Sequence, residues 1–281
     1  AYNILWKRLF ALKFFKYKDN LSAAWIWSRI KRVGSSRKSM LQEELGYLEG
    51  GSETLLHALE QKITALGGRI HLSTVVERVN IDGNQIQSIT VADKDEKFEH
   101  VFSTVPLPYV SRMIPDLPAD YRDRYESIQN MGVVCVIFRL RKGVSRNFWL
   151  NVSDESMDIP GIIEFSNLRP IQDSVVYVPY YMPRDYPKFA NDNAFFIAEA
   201  KQYIKQLNPE ITDEDFIAEH ASRYGYAQPV CQPGFSKVLP PIKTTINGLY
   251  IADTSYYYPE DRSISESVNI GKQMADLASE L

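Results

Sequence analysis

The C-terminal segment from Gly248 to Leu281 constrains the fold of this chain more than any other stretch. The apolar run Leu249 to Ala252 follows a glycine and stops at Asp253, which is the pattern of a buried strand that ends at a polar site. A helix is predicted to follow, with Ser265 as its N-cap. The first N–H groups of a helix point outward. Strand, acidic tip and capped helix together therefore suit the binding of an anionic ligand.

The predicted helix has one apolar side, which contains a glycine. Gly271 has no side chain, so we expect the helix to lie close to the sheet or ligand that it covers. The apolar face is expected to contain Val268, Gly271, Met274, Ala275, Ala278 and Leu281.

This order of strand, small residue, Asp, loop and small-residue helix start resembles the C-terminal flavin motif of the amine-oxidase-like FAD oxidoreductases. That group includes protoporphyrinogen oxidases, phytoene desaturases and, more distantly, UDP-galactopyranose mutases. The chain departs from the family at Ala252, where a glycine is usual. An ordinary β–α unit with a surface Asp is the alternative interpretation. The resemblance implies that Asp253 approaches the pyrophosphate and ribityl chain of FAD, and that the flavin ring faces Ser265, Glu266, Ser267 and Val268.

A second segment carries the same resemblance. Gly50-Gly51-Ser52 precedes a predicted helix, Gly67-Gly68 ends it, and Arg69 to Leu72 is predicted to be a strand. The apolar side of the helix is expected to contain Leu55, Leu56, Leu59, Ile63 and Leu66. In the family this order forms a crossover at the edge of the FAD sheet, and a backbone group near the first Val holds the adenine. The matching residues are Val75 and Val76.

Residues 76 to 105 alternate between apolar and polar positions, with interruptions at residues 82–84 and 93–96. This pattern predicts a small antiparallel meander. The meander leads into Thr104-Val105-Pro106, and the family has a similar strand that ends in Thr-x-Pro and returns the chain to the FAD domain. The resemblance therefore implies that Thr104 lies near the cofactor.

Residues 119 to 246 contain strong strand candidates, a convincing helix at Ala194–Leu207 and an acidic start of another helix at Thr212. The strand candidates are Val133–Leu140, Phe148–Val152, Gly161–Phe165 and Val175–Tyr180. Strands with flanking helices predict a mixed or antiparallel sheet that is covered by helices on one side. In the family this region is the substrate domain. A tyrosine offers a flat apolar face with a polar tip, which suits a pocket. The candidate substrate contacts are Glu164, Tyr180, Tyr226 and Arg262.

The predicted fold class is therefore α+β, with part of an α/β FAD-binding domain beside a substrate domain. We expect residues 1–47 to form a helical part of the substrate domain and residues 48–115 to form a partial FAD-binding domain with the meander. Residues 116–246 are expected to form the substrate-binding domain, and residues 247–281 the C-terminal strand and helix of the FAD-binding domain.

The N-terminal residues are strongly basic. Residues 1–40 contain ten Lys or Arg and one Asp, a charge of +9, so the remainder carries −12 of the total of −3. Two helices are predicted here, the first amphipathic and the second near residues 23–30. They either pack on their own acidic protein, or contact an anion or substrate, or contact a membrane or nucleic acid. The first interpretation is preferred, because the aromatic residues suit core packing. No nucleic-acid partner is expected, and peripheral membrane contact stays open.

Several classes of protein are disfavoured by missing motifs. The sequence contains no P-loop, nucleophile elbow or HExxH. Cys135 and Cys231 stand far apart without metal spacing, so no metal site and no disulfide are expected, and a reducing cytoplasm is the expected compartment. No apolar segment approaches the roughly 20 residues that cross a bilayer.

The sequence also lacks a Gly-x-Gly-x-x-Gly turn after a strand. In the family that motif stands near the N-terminus, and this chain starts at Ala1. The sequence is therefore interpreted as the C-terminal two-thirds of an FAD-dependent oxidoreductase that acts on a small molecule and moves a hydride to flavin. The whole protein is expected to hold FAD noncovalently, and this fragment alone to lack both FAD and activity. No catalytic residue is assigned.

Two other functions stay open at this point. One is a non-redox flavin enzyme that acts on a nucleotide sugar, similar to UDP-galactopyranose mutase. The other is a noncatalytic interaction module that uses the basic N-terminal helices. The fragment is also expected to self-associate through an exposed edge of the strand Leu249–Ala252, unless the N-terminal helices cover that edge.

Overall fold

A computed structural model describes residues 6–35, 46–169 and 171–279, and it confirms the α+β class. The helices are α1 (Lys7–Phe14), α2 (Ala23–Ser35), α3 (Ser52–Ala65), α4 (Leu107–Met113), α5 (Ala119–Ser127), α6 (Asn193–Leu207) and α7 (Ile264–Ser279). The strands are β1 (Arg78–Asp82), β2 (Gln85–Val91), β3 (Lys94–Lys97), β4 (Val101–Ser103), β5 (Asn130–Leu140), β6 (Trp149–Asn151), β7 (Gly161–Glu164), β8 (Ser174–Pro183), β9 (Phe216–Pro229) and β10 (Leu249–Ile251).

The chain divides into two compact units. The first unit comprises residues 1–23 and 129–233, and the second comprises residues 24–128 and 234–281. The assignment of functional domains to parts of the chain stays a prediction. Within the described ranges, no helix is both long enough and apolar enough to cross a membrane.

The first unit is built on a five-stranded antiparallel sheet in the order β6-β7-β8-β5-β9. Alternate residues of the two central strands, such as Val136 on β5 and Val178 on β8, are fully buried and pack with Phe196 and Ile204 of α6. The carboxylate of Asp192 accepts a hydrogen bond from the N–H of Phe195 and so caps α6. α6 therefore covers one face of the sheet, as predicted.

The acidic segment at Thr212 does not open an α-helix, and that prediction was wrong. Residues Asp213–Asp215 form a single 3₁₀ turn, closed by reciprocal bonds between Thr212 and Asp215. The chain then enters β9, which lies at the edge of the sheet. The polar residues of β9 suit an edge position, because only one side of an edge strand is paired.

α1 packs against β8 inside the first unit. Phe14 is almost completely buried, and the guanidinium of Arg8 donates to the Met157 carbonyl at 2.6 Å. The ammonium of Lys16 forms an exposed ion pair with Asp185 at 3.1 Å. This is the arrangement expected if the first basic helix packs on its own protein and leaves its charges near water.

The second unit contains the predicted meander, a three-stranded antiparallel sheet in the order β1-β2-β3. It also contains the parallel pair β4 and β10, in which Leu249 pairs with Val101 and Ile251 with Ser103. Gly248 introduces β10 at φ +81°, and a Cβ there would collide with the Glu99 carbonyl oxygen. Only glycine fits this entry to the strand.

The expected exposure of the strand Leu249–Ala252 was wrong. All four residues are buried. β4 occupies one edge of β10, and the N–H of Ile251 donates to the Ile242 carbonyl at 2.9 Å on the other. Self-association stays a prediction, without this strand edge as its cause.

α7 starts earlier than predicted. Its N-cap is Ser263, whose Oγ accepts a hydrogen bond from the N–H of Glu266 at 3.1 Å, so Ser265 lies inside the first turn. The buried side of α7 is also rotated from the predicted one, because the helix packs on Tyr250. This side consists of Ile270, Met274, Leu277 and Ala278. Of the residues predicted there, Val268, Gly271 and Ala275 are exposed, and Leu281 lies outside the described residues.

Gly271 has open space where a Cβ would stand, so α7 does not approach the sheet through this residue, and its approach to a ligand stays a prediction.

The segment after α3 is also not as predicted. Arg69 to Leu72 forms no strand, because the described residues place no partner beside it, and an unpaired strand cannot satisfy its N–H and C=O groups. α3 itself is confirmed, but it buries none of its residues. Exposed apolar side chains in this region are Leu56, Leu59, Ile63, Leu66, Ile70 and Leu72.

Candidate functional site

The structure brings two of the predicted flavin-binding residues to one edge of a sheet. Thr104 and Asp253 follow the ends of the parallel strands β4 and β10. The N–H of Ala252 donates to the Ser103 carbonyl at 3.1 Å, so the two strands end side by side. We call this place the carboxyl edge of the β4–β10 pair. Ligands of open parallel sheets bind beyond such edges.

The carboxylate of Asp253 is used by the chain itself. One oxygen accepts a hydrogen bond from the N–H of Leu107 at 2.9 Å, and the other accepts from the N–H of Ser255 at 2.8 Å. Leu107 opens α4, whose N-cap Pro106 has no side-chain group to offer, so Asp253 satisfies an orphan N–H of that helix. Burial raises the pKa of Asp253, and the two N–H bonds oppose that rise. Asp253 thus fixes the carboxyl edge to α4.

One polar atom at the carboxyl edge lacks a partner. The hydroxyl of Ser103 is buried and makes no hydrogen bond within the described part of the chain. A buried hydroxyl without a partner is unfavourable and calls for a ligand or a water molecule. Thr104 beside it is exposed. This orphan hydroxyl is compatible with the polar ribityl chain that the family resemblance implies here.

The start of α7 presents the other predicted flavin contacts. Ser265 and Ser267 are exposed, and Val268 exposes 59% of its surface, while Glu266 is half-buried. The Ser267 hydroxyl donates to the Ser263 carbonyl at 3.0 Å and lies 2.9 Å from the hydroxyl of Tyr257. An apolar side chain next to hydroxyl groups is chemically suited to the edge of a flavin ring.

Val75 and Val76 lie in the segment without regular secondary structure before β1. Val75 is exposed and Val76 is half-buried. The other end of β1 leads to the turn at Gly83, where the N–H of Asn247 donates to the carbonyl of Asn84 at 2.9 Å. The two valines therefore stand at the end of β1 that is remote from this contact. Their predicted role at the adenine stays a prediction.

Glu164, a candidate substrate contact, is 1% exposed. One carboxylate oxygen accepts from the N–H of Val144 at 3.1 Å and from the hydroxyl of Ser174 at 2.7 Å. The other accepts from the N–H of Ser145 at 2.8 Å. A substrate would reach this carboxylate only by displacing the loop that follows β5. The geometry favours a structural role, and the substrate contact stays a prediction.

Tyr180 lies in the core under α6, not in a cleft. It is fully buried, and its ring meets Phe196 edge to face at 5.1 Å. Burial raises the pKa of Tyr180 far above its ordinary value. Beside it, the ammonium of Lys188 forms ion pairs with Asp158 at 3.1 Å and Glu199 at 2.8 Å. These contacts describe a packed polar cluster beneath the helix.

Tyr226 is half-buried on β9 and is held by an arginine that the sequence analysis missed. The guanidinium carbon of Arg184 lies 4.5 Å from the centre of the Tyr226 ring, and one of its N–H groups donates to the tyrosine hydroxyl. Nothing in the sequence around Arg184 distinguishes it from other surface arginines. Arg262, the fourth candidate, belongs to the second unit, next to Asp261, which pairs with Arg29.

The structure thus groups the predicted flavin contacts more clearly than the predicted substrate contacts. Thr104 and Asp253 share the carboxyl edge, and the four α7 residues share one helical turn. Glu164, Tyr180 and Tyr226 lie in the first unit, but in three different surroundings. Among the described residues, no group of three or more His, Cys, Asp or Glu side chains could hold a metal ion.

Comparison with protein families matches most of the chain. The family described as flavin containing amine oxidoreductase matches residues 2–259. The search of curated proteins found no match.

Comparison with solved structures supports the same fold. Cyclohexylamine oxidase from Brevibacterium oxydans has a TM-score of 0.68 and 12% identity, over 98% of this chain and 63% of that one. A reduced UDP-galactopyranose mutase has a TM-score of 0.61 and 14% identity, over 84% of this chain and 54% of that one. An oxidoreductase from Methanosarcina mazei has a TM-score of 0.55 and 18% identity, over 73% of this chain and 49% of that one. The chain thus spans less than two thirds of the length of each.

Proposed function

The chain belongs to the flavin containing amine oxidoreductase family, and from this premise we propose that it is part of an FAD-dependent oxidoreductase. The bound flavin would accept a hydride from a C–H bond of an organic substrate. The carboxyl edge of the β4–β10 pair is the observation that carries the proposal. It combines a place where parallel sheets bind ligands with a buried hydroxyl, that of Ser103, which has no partner within the described residues.

Each group at the carboxyl edge has a separate task in this proposal. Asp253 holds the edge and the start of α4 in place through its two N–H bonds. The hydroxyls of Ser103 and Thr104 would hydrogen-bond to the ribityl side of FAD. The attachment of α4 to the carboxyl edge by Asp253 matters, because the protein contributes to flavin chemistry by orienting the cofactor and excluding water.

The start of α7 would contact the flavin ring. The hydroxyls of Ser265 and Ser267 would bond to its polar edge, Glu266 would border it, and Val268 would cover part of its apolar surface. By resemblance, Val75 and Val76 would contact the adenine.

FAD would be held jointly by this chain and by further polypeptide. The sequence contains no Gly-x-Gly-x-x-Gly turn, which in dinucleotide folds seats the pyrophosphate at a helix N-terminus. Such a turn supplies several charge-assisted hydrogen bonds to the pyrophosphate, each worth about 1.5–3 kcal/mol. Without them, the affinity of the chain for FAD falls by orders of magnitude. We therefore propose that the 281-residue chain alone holds little FAD and is inactive.

The test is to recover the protein from its native source through an affinity tag at the end of this chain, together with whatever copurifies. Its visible spectrum is recorded, and it is then titrated without oxygen with small amines and polyenes. We expect a bound flavin that loses its oxidised absorbance with an organic substrate. Ser265→Ala should shift the flavin spectrum, whereas the matched change Ser279→Ala, in the last turn of α7, should not.

Two outcomes would contradict the proposal. A native protein without flavin would remove it altogether. Turnover of a nucleotide sugar that requires flavin reduced beforehand, without net oxidation, would replace it by mutase chemistry. The likeness to the reduced UDP-galactopyranose mutase supports that alternative only at the level of the fold.

A further inference from the structure

The helix α3 of the second unit has contacts mainly with its own neighbours in the chain. None of its 14 residues is buried. Between described residues, its side-chain contacts are local. The Thr54 hydroxyl donates to the Glu49 carbonyl at 2.8 Å, and Nδ1 of His57 lies 3.5 Å from the carboxylate of Glu60. The described part of the second unit therefore gives α3 little support.

The apolar side chains of α3 form a stripe. Four of them are spaced by three, four and three positions, so they follow one another along one side of the helix. Between 42% and 74% of the surface of each is exposed. We call these residues the α3 stripe: Leu56, Leu59, Ile63 and, directly after the helix, Leu66. An apolar stripe of this length in water is a surface that lacks its cover.

Without a cover, α3 is not expected to persist as a helix. Isolated helices shorter than about 12–15 residues are marginal in water even when they are rich in alanine. α3 is less favourable than that, because Thr54, Ile63 and Thr64 are β-branched and lower the helix propensity. Most helical stability in proteins comes from packing of an apolar side. The helix and its cover should therefore form together.

One cover fits these observations. The chain spans 49–63% of the length of the three solved structures compared above, and the proposed function requires further polypeptide to seat the pyrophosphate of FAD. The proposed adenine contacts Val75 and Val76 follow α3 in the chain. The segment between them and α3 is exposed, with 81% of the surface of Leu72 in contact with solvent. A cover that orders α3 would therefore also restrain the segment that leads to the adenine contacts.

We propose that the α3 stripe is the docking surface for the further polypeptide that completes the FAD site, and that α3 is stably helical only when this polypeptide covers it. The proposal rests on the proposed function, because that function requires the further polypeptide. It links retention of FAD to four apolar side chains, none of which is among the predicted flavin contacts.

Hydrogen exchange tests the docking directly. It compares the 281-residue chain alone with the protein recovered from its native source through a tag at the end of this chain. The amides of residues 56–65 should exchange in the chain alone at nearly the rate of an unstructured peptide. In the recovered protein they should exchange at least about tenfold more slowly. The amides of α6, which buries one side in the core of the first unit, should be protected in both samples and serve as the reference.

Two variants place the same new residue on opposite sides of α3. Leu59→Ser changes the stripe, whereas Gln61→Ser changes an exposed residue about 200° away around the helix. Neither variant should shift the urea midpoint of the chain alone, because neither side chain is buried there. In the recovered protein, Leu59→Ser should raise the Kd for FAD at least about tenfold, because a leucine loses its burial, and Gln61→Ser should leave it unchanged. Flavin fluorescence on dilution measures this Kd.

Three results would overturn the proposal: equal exchange of α3 in both samples, equal behaviour of the two variants in the recovered protein, or a recovered protein without further polypeptide. Protection of α3 in the chain alone that grows with protein concentration would assign the stripe to a second copy instead. A recovered protein that protects α3 but contains no flavin would overturn the proposed function and leave the docking surface intact. The two failures are therefore distinguishable.

Discussion

Replacing Glu164 by glutamine tests whether this residue anchors a loop or contacts a substrate. The carboxylate receives three hydrogen bonds, from the N–H groups of Val144 and Ser145 and from the hydroxyl of Ser174. In a glutamine of the same shape, the amide oxygen can keep the two bonds made by one carboxylate oxygen. The amide nitrogen then faces the N–H of Ser145, and because both groups are hydrogen-bond donors, no bond forms between them.

The loss is therefore one charge-assisted bond and one buried N–H left unsatisfied, about 2–4 kcal/mol in the free energy of unfolding. That is a large share of the roughly 5–15 kcal/mol by which domains are stable. Glu164→Ala would leave all three donors unpaired and should cost more, so glutamine is the better variant. Glu155→Gln removes the same charge from an exposed position of the same unit and serves as the control.

Urea unfolding followed by circular dichroism measures the difference in stability. Hydrogen exchange locates it, because the amides of Val144 and Ser145 should lose protection in Glu164→Gln and keep it in Glu155→Gln. If the two variants unfold with free energies within about 0.5 kcal/mol of each other, the anchoring argument is refuted. A change in substrate binding with unchanged stability would instead support the substrate contact predicted from the sequence.

Three further predictions concern the second unit and the cofactor. Gly248→Ala should lower the free energy of unfolding by more than about 2 kcal/mol, because φ is positive at this position and the new Cβ would meet the Glu99 carbonyl oxygen. Gly271→Ala should raise the free energy of unfolding by about 0.5–1 kcal/mol, because it places alanine at an open position of a helix. Urea midpoints measure both changes, and equal shifts in the two variants would contradict the prediction. The pKa of Asp253 is raised in the folded state, so ionising this residue destabilises the fold. The stabilisation linked to its protonated form is fully present below its ordinary pKa of 3.8, and it is lost as the pH rises through the pKa of the folded state. Wild type should therefore gain stability relative to Asp253→Asn as the pH falls from neutral toward 3.8, and a pH-independent difference in unfolding would argue against it. The 281-residue chain purified alone should show no stoichiometric flavin absorbance, and a full flavin band would disprove the need for further polypeptide.

The amino-acid sequence by itself determined the elements whose signals are local. β5, β8 and β10 are apolar runs bounded by polar residues or glycines, and α6 and α3 have helical periodicity with recognisable ends. The Thr-x-Pro and Ala-Asp segments also indicated which residues follow the two parallel strands. Such patterns are legible because they depend on neighbours within a few residues along the chain.

Only the tertiary structure decided where these elements find partners. The sequence predicted no strand over β9, whose polar side chains hide its place at the edge of the sheet. It predicted an apolar side on α3, which buries none of its residues. Glu164 and Tyr180 resembled pocket residues in the sequence, but burial against Ser174 and Phe196 gave them packing contacts. Arg184 packs on the ring of Tyr226 because Gly225, 41 positions further along the chain, leaves space for it. Contacts between residues distant in sequence depend on how strands pair and bulge, and no local pattern encodes that pairing.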